Sequence, residues 1–509
     1  MKKFVALSAA AAIAASMSFA SDVDDLKAEL EALKQEVQAL KKQTKGLKAK
    51  KLKKQISELK SAALNDNIKW NVDLRSAFDY IHYKYNDGSS DANQIFTNRL
   101  WLGMKYAPTQ NLSFIGTLSY YKMYGQLPDP QMGFNYFDWI VNETPNDGQL
   151  RVKEAYWIYF GDKLFGADVP WTASFGRRPA TDGLLANFRE DQKAKSPLGH
   201  IINTEFDGAS FKFDLSNVTN VPGMYFKLCM GRGMTNANSR YAVQVDGVNY
   251  TKVDGWKHTD LGGFIFVPYD DGQYSVHTTW FRAFNLPGMY GSEYFYNGLT
   301  GQPIGPNPNN MTFAQGGNMD GAAISLLAMG IGDGISDFLD DTNAFVSFAW
   351  SKTRPSGSHS AIMTDVTGTY PQMTATVDNV MLGSNDKETG NSVYAGVNFP
   401  IMLIDGGRVG LEYNHGSKYW RSFTYAEDTL AGSKLATRGD AYEVWYNQEL
   451  IGRTLTAQLR YTYMDYDYTG SQGFFGEAGT PIKEEDAAAM GLLSVDKAQD
   501  LRFYIRYRY

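Results

Sequence analysis

The chain has 509 residues, 43% of them hydrophobic and 14% aromatic, with 49 glycines, a formal net charge of −6 and a mean hydropathy of −0.37. That hydropathy, and the lack of any run of about 20 uninterrupted apolar residues, exclude a protein that crosses a membrane by helices. A single cysteine, Cys229, excludes an internal disulfide framework.

Residues 1–20 have the three parts of a secretory signal peptide: Lys2 and Lys3, a short apolar core from Phe4 to Ala15, and the small-x-small site Ser18-Phe19-Ala20. The mature chain is expected to start near Ser21 and leave the cytoplasm. Residues 21–64 read as an α-helical coiled-coil segment. Leu26, Leu30, Leu33, Val37, Leu40, Thr44 and Leu47 recur at alternating spacings of four and three, and the seam resumes as Leu52, Ile56, Leu59 and Ala63. Leu26, Leu30, Leu33, Val37, Leu40 and Leu47 are the expected oligomerisation contacts, in a homotrimer; an amphipathic helix folded against its own chain is the alternative. Residues 22–64 carry 11 Lys against 7 Asp or Glu. Such a basic helix suits contact with an anionic cell-wall polymer such as peptidoglycan, although basic runs are more often solvated helix faces.

From Lys69 onward the period changes to two. Trp70, Val72, Leu74, Phe78 and Tyr80 alternate with Asn71, Asp73, Arg75 and Asp79, and Leu455, Ala457, Leu459, Tyr461 and Tyr463 alternate with Thr456, Gln458, Arg460 and Thr462. Side chains of a strand alternate between faces. Sixteen such runs are predicted, at 69–82, 95–106, 112–124, 150–160, 170–177, 206–214, 223–233, 259–267, 274–284, 321–330, 343–352, 390–400, 407–416, 439–449, 454–464 and 499–509. The runs at 170–177, 259–267 and 321–330 are the weakest, which leaves a range of 14–18.

In the last run Leu501, Phe503, Ile505, Tyr507 and Tyr509 share one parity, and Arg502, Tyr504, Arg506 and Arg508 the other. Three arginines on one face suit neither hydrocarbon nor a soluble core. A membrane barrel with a wet interior accommodates both faces, and the strand alternation explains the low mean hydropathy. The terminal amphipathic strand closing on an aromatic resembles the assembly signal of bacterial outer-membrane barrels. The expected fold of residues 65–509 is therefore all-β, an antiparallel up-and-down transmembrane β-barrel. The predicted location is the cell outer membrane, among its lipid and lipopolysaccharide, with the N-terminal segment in the periplasm.

Connectors alternate in length: 107–111, 161–169, 215–222, 268–273, 401–406 and 450–453 are short, whereas 125–149, 234–258, 285–320, 353–389 and 465–498 are long, as expected of turns on one rim and loops on the other. With the helix in the periplasm the third outer loop is 178–205. Here the chain resembles the trimeric general and substrate-specific porins, whose third loop narrows the barrel. The resemblance implies a constriction set by 178–205, with Arg177, Arg178, Asp182, Arg189, Glu190 and Asp191 at it. Opposed charges there would sort solutes by charge; the alternative is a surface loop whose charges are merely solvated. Arg75, Arg99, Arg151, Arg460, Arg502 and Arg506, on strand positions of lumen parity, are expected to line the pore. Signal, coiled coil and aromatic-ended barrel together resemble a Gram-negative porin-like family of poorly known substrate. Phosphate-selective porins share the coiled coil, but residues 65–509 carry 36 basic against 48 acidic side chains, which does not fit phosphate specificity.

The six histidines form no HExxH pattern and no GxSxG elbow occurs, so no enzyme, metal site or cofactor is expected, nor a nucleic-acid partner. Asp333, Asp337, Asp340 and Asp341 lack the calcium-loop spacing and fall at a predicted periplasmic turn. The reading reached is a porin passing small hydrophilic solutes or ions. The alternatives are a structural or adhesive barrel without an open pore and, less in keeping with the loop lengths, a soluble all-β binding protein.

Overall fold

The computed structural model describes residues 68–125, 145, 150–179, 189, 197–237, 250–252, 257–307, 310–332, 334–424, 429–473, 476–477 and 479–509. The signal peptide and the heptad segment, with Leu26, Leu30, Leu33, Val37, Leu40 and Leu47, lie outside the described residues, as do Asp182, Glu190 and Asp191. The described residues divide into two compact units, 68–70 with 104–114, and those of 71–103 with those from 115 onward.

Twenty strands are described. Sixteen close an antiparallel barrel in sequence order: β1 (Lys69–Tyr85), β2 (Ser90–Thr109), β3 (Leu112–Met123), β4 (Arg151–Gly161), β5 (Trp171–Pro179), β6 (Glu205–Asp214), β7 (Tyr225–Met234), β8 (Thr259–Asp270), β9 (Tyr274–Gly291), β12 (Met311–Met329), β13 (Asn343–Pro355), β16 (Thr389–Pro400), β17 (Gly407–Gly416), β18 (Gly439–Ile451), β19 (Leu455–Tyr466) and β20 (Val495–Arg508). Closure is made by β1 against β20, from Asp73 opposite Arg508 to Lys84 opposite Lys497. Each of the sixteen predicted runs falls on one barrel strand.

Two long connectors differ from expectation. The stretch 285–320 is not all loop: β9 continues to Gly291 and β12 begins at Met311. The ladder survives the glycines and Pro287 because it shifts register between Gln315 and Gly317 and again between Gly317 and Met319. Gly317, at φ +140°, takes a backbone conformation that an L side chain resists. Beyond these strands β10 (Glu293–Tyr296), β11 (Pro303–Pro306), β14 (Ser358–Asp365) and β15 (Met373–Asp378) form a separate four-stranded sheet in the order β11-β10-β14-β15. Its turns are built on carboxylates. Asp365 accepts the backbone N–H groups of Gly298, Thr367, Thr369 and Tyr370. Glu293 accepts from Asn307, Asn310 and Thr364.

The two barrel faces follow the parity of the sequence. Leu74, Phe175, Ile324, Phe348, Leu459 and Phe503 are exposed on the outside, while Asp73, Arg75, Asp79, Arg460, Arg502 and Arg506 are buried on the inside. Cys229 is a free thiol of intermediate exposure.

Candidate functional site: the barrel interior

Inside the barrel the charges are arranged in tight groups. On β20 and β1 the Arg506 guanidinium donates to Asp73, Nε at 2.8 Å, and Arg502 donates to Asp79. Arg75 donates to the Tyr121 hydroxyl at 3.3 Å and lies 5.4 Å from the Tyr504 ring. Arg99 stacks on Trp101 at 3.7 Å. Planar, weakly hydrated guanidinium groups suit such stacking and bidentate roles. Arg151 is half-buried at the start of β4. Arg178 is buried on β5 with its guanidinium 4.6 Å from the Tyr156 ring. Arg177, one residue earlier, takes the opposite parity and donates to Glu205 at 3.0 Å and to the Val152 carbonyl at 2.8 Å.

Arg189, the one described residue between Pro179 and Pro197, is fully buried against the barrel wall. It donates to Glu443 on β18 at 2.9 Å. Its carbonyl accepts from Asn447 at 2.8 Å and Gln458 at 3.2 Å. Glu443 also accepts from Lys434 at 2.6 Å and Thr462 at 2.7 Å, with Arg460 at 4.0 Å. Lys434 reaches Glu412 at 2.8 Å, which accepts in turn from Trp445 and Tyr394. Three cations and two carboxylates thus share one buried cluster. Burial pushes the Lys434 ammonium below its ordinary value, against the pull of Glu412 and Glu443.

The same connector touches the wall again at its far end. Among the hydroxyls around His200, the Ser325 hydroxyl donates to Ser347 at 2.8 Å, and the Ser392 hydroxyl donates to Asn414 at 3.0 Å. With those two protons committed, Ser347 donates to His200 Nδ1 and His200 Nε2–H donates to Ser392, each at 2.9 Å. Asn414 then donates to the Lys434 carbonyl at 3.0 Å. This chain satisfies a neutral imidazole on both nitrogens, and burial pushes its pKa down to about 3.

The sequence reading passed over the connector 417–438, yet it is as deeply placed. Trp420, Phe423 and Leu435 are fully buried. The Phe423 N–H donates to the Ile201 carbonyl at 2.7 Å, and the Asn203 N–H to the Phe423 carbonyl at 3.0 Å, so the two connectors pair as a short β-bridge. Ile201, Ile202, Trp420 and Phe423 pack with Ile265, Phe281, Met319 and Ala349 of the barrel strands in one apolar cluster. Arg438 donates to the carbonyls of Trp420, Thr469 and Gly476. The aromatic residues of 417–438 were the available signal, but without a period they gave no direction.

A closed barrel with an apolar exterior, ion-paired charges inside, and two connectors bonded to the inner wall defines the class of this protein. The chain belongs to the family described as "Protein of unknown function (DUF3373)", whose model matches residues 89–509. No curated protein matches it by sequence. Among solved structures it is similar to OprB of Pseudomonas putida, with 12% identity over 89% of this chain and 96% of that one and a TM-score of 0.45. It is similar to an anion-selective porin from Comamonas acidovorans, with 9% identity over 87% and 100% and a TM-score of 0.43. It is also similar to Salmonella typhi OmpF in complex with daunomycin, with 8% identity over 87% and 98% and a TM-score of 0.42.

Proposed function

We propose that this protein is an outer-membrane porin through which small hydrophilic solutes or ions diffuse passively. The observation that carries the reading is the contrast of faces on sixteen closed strands: exposed apolar side chains outside and arginine–carboxylate pairs inside. A lipid-facing exterior needs the first, and an aqueous lumen with sorted charges needs the second. The connectors 178–205 and 417–438, pinned at Glu443 and His200, narrow the lumen on one side. Arg75, Arg99, Arg151, Arg178, Arg460, Arg502 and Arg506 line or support the remaining wall. The heptad seam of 21–64 holds three copies together in the periplasm and its basic face touches peptidoglycan. Swelling of proteoliposomes in sugars of graded size tests the reading: entry of small sugars with a sharp size limit supports it, and no swelling in any sugar refutes it.

A second reading, a structural barrel without an open pore, is favoured by the apolar cluster that fills the sector between β8 and β13. It predicts a folded protein that leaves the liposomes impermeable.

A further inference from the structure

The outer face of β9, β12 and β13 changes character along its length. Ile324 and Leu326 on β12 and Val346 and Phe348 on β13 are exposed and apolar. Next along β12 stands Ala322, opposite Trp280 on one side and Trp350 on the other. The following position of the same parity, towards the end that leads into β10 and β14, is Asp320. It lies directly opposite Arg282 on β9 and Lys352 on β13.

Asp320 accepts from Arg282 Nε at 2.6 Å and Nη2 at 3.0 Å, and from Arg354 Nε at 2.5 Å. Its side chain is 2% exposed, whereas those of Arg282 and Arg354 are 31% and 32% exposed. A buried carboxylate therefore holds two guanidiniums side by side with their outer edges in solvent. With Lys352 the group has three positive charges against one negative, a sum of +2. Among the described residues no second carboxylate lies within ion-pair distance of the three cations, and Arg282 Nη1, Arg354 Nη1 and Nη2 and the Lys352 ammonium have no acceptor. Gly262, opposite Arg282 on β8, has open space where a Cβ would stand, so that flank is clear. The nearby outer-face pair Arg232 and Asp260 differs: it is one charge against one, bonded at 2.7 and 3.1 Å.

An oxyanion completes the charge of the Asp320 group. Guanidiniums offer it paired N–H donors and a lysine a point charge. The position selects the source of that oxyanion. Tryptophans mark the border between the apolar band of a membrane barrel and its polar rim, and the Arg282 guanidinium lies 5.9 Å from the Trp280 ring. A free anion gains nothing from Ile324 and Phe348, but a lipid lays its chains on them and its headgroup on the cations.

We propose that Arg282, Lys352 and Arg354, set on Asp320, form an outer-face docking site for the anionic, phosphate-bearing headgroup of a membrane lipid. The site rests on the membrane-barrel part of the proposed function and is independent of an open pore.

The test uses the full-length, detergent-folded protein and native mass spectrometry, with phosphatidic acid and zwitterionic phosphatidylcholine as probes. The parent should retain phosphatidic acid at a concentration at which it retains no phosphatidylcholine. Lys352→Gln/Arg354→Gln should weaken that retention about tenfold or more, the scale of a lost hydrogen bond to a charged group. Arg232→Gln/Asp260→Asn removes the self-neutralised pair and should bind as the parent does. Heat-modifiability on a gel shows which variants are folded, and Lys352→Gln alone, which breaks no ion pair, should still weaken retention if the double variant does not fold. Equal retention of the two lipids, equal retention in parent and variants, or full displacement by an equal concentration of inorganic phosphate would overturn the proposal. Loss of trimers in the double variant with lipid retention intact would overturn it too, by making the patch a subunit contact. Conductance of the same samples separates this outcome from the porin reading: a conducting barrel without lipid selectivity loses only the docking site, and a lipid-selective barrel without conductance loses only the pore.

Discussion

Replacing Glu443 with Gln should release both inward connectors from the wall. The side chain keeps its shape but loses its charge. In the parent, Arg189, Lys434 and Arg460 face Glu412 and Glu443, three positive against two negative, a sum of +1; the variant leaves three against one, a sum of +2. Each ion pair is worth about 4 kcal/mol at 4 Å with an effective dielectric near 20. Part of that offsets desolvation, and removing one member of a buried pair typically costs about 3–5 kcal/mol. The loss should be concentrated in the connectors, because the backbone ladders of β17, β18 and β19 do not depend on Glu443. Urea titration of the barrel in lipid vesicles would read the stability, and limited proteolysis would read the connectors. New cleavage within 180–196 and 425–438, with a loss near that range, is the expected result. A loss below about 1 kcal/mol, the scale of an exposed pair, with an unchanged cleavage pattern would refute the reasoning.

Acid should loosen the His200 segment. Its ordinary pKa is near 6.5 and its seated value about 3, so only the released segment takes up a proton between those values. The seated form then has its full stability above pH 6.5 and loses about 1.4 kcal/mol for each pH unit below it, down to 3. Protease accessibility of 197–204 should rise between pH 7 and 4.5, and His200→Gln should abolish that pH dependence. Leu459→Arg, on the exposed outer face of β19, should cost about 2–4 kcal/mol if it lies near the bilayer midplane. Leu459→Ala should assemble normally on a heat-modifiability gel, and equal assembly of both variants would contradict a lipid-facing exterior. Removal of residues 22–63 should leave a folded barrel but weaken trimers, read by native gel in mild detergent.

The barrel was legible in the sequence because its signal is periodic. Leu501, Phe503 and Ile505 against Arg502, Tyr504 and Arg506 fix both the strand and its faces, and the structure exposes the first set and buries the second. Strand ends were less clear, since in 285–291 Asn, Pro and Gly read as loop although ladder pairing to 311–317 continues through bulges. The sheet of β10, β11, β14 and β15 was missed because two of its strands have only four residues and the other two, of eight and six, are Ser- and Thr-rich and carry only a weak apolar alternation. The interior contacts were the least legible part. Arg189 and His200 look like ordinary loop residues, and nothing local shows that Glu443 and Ser347 meet them across separations of 254 and 147 residues. The grouping of Arg282 and Lys352 about Asp320 likewise becomes visible only once the register of β12 on β9 and β13 is known.

Single-channel recording in a planar bilayer, with the reversal potential under a salt gradient, tests the central claim most directly. An open porin predicts discrete steps, grouped in threes if the trimer persists, and Glu443→Gln should make them noisier. A purified, folded, heat-modifiable barrel that inserts into the bilayer and passes no current would contradict the account.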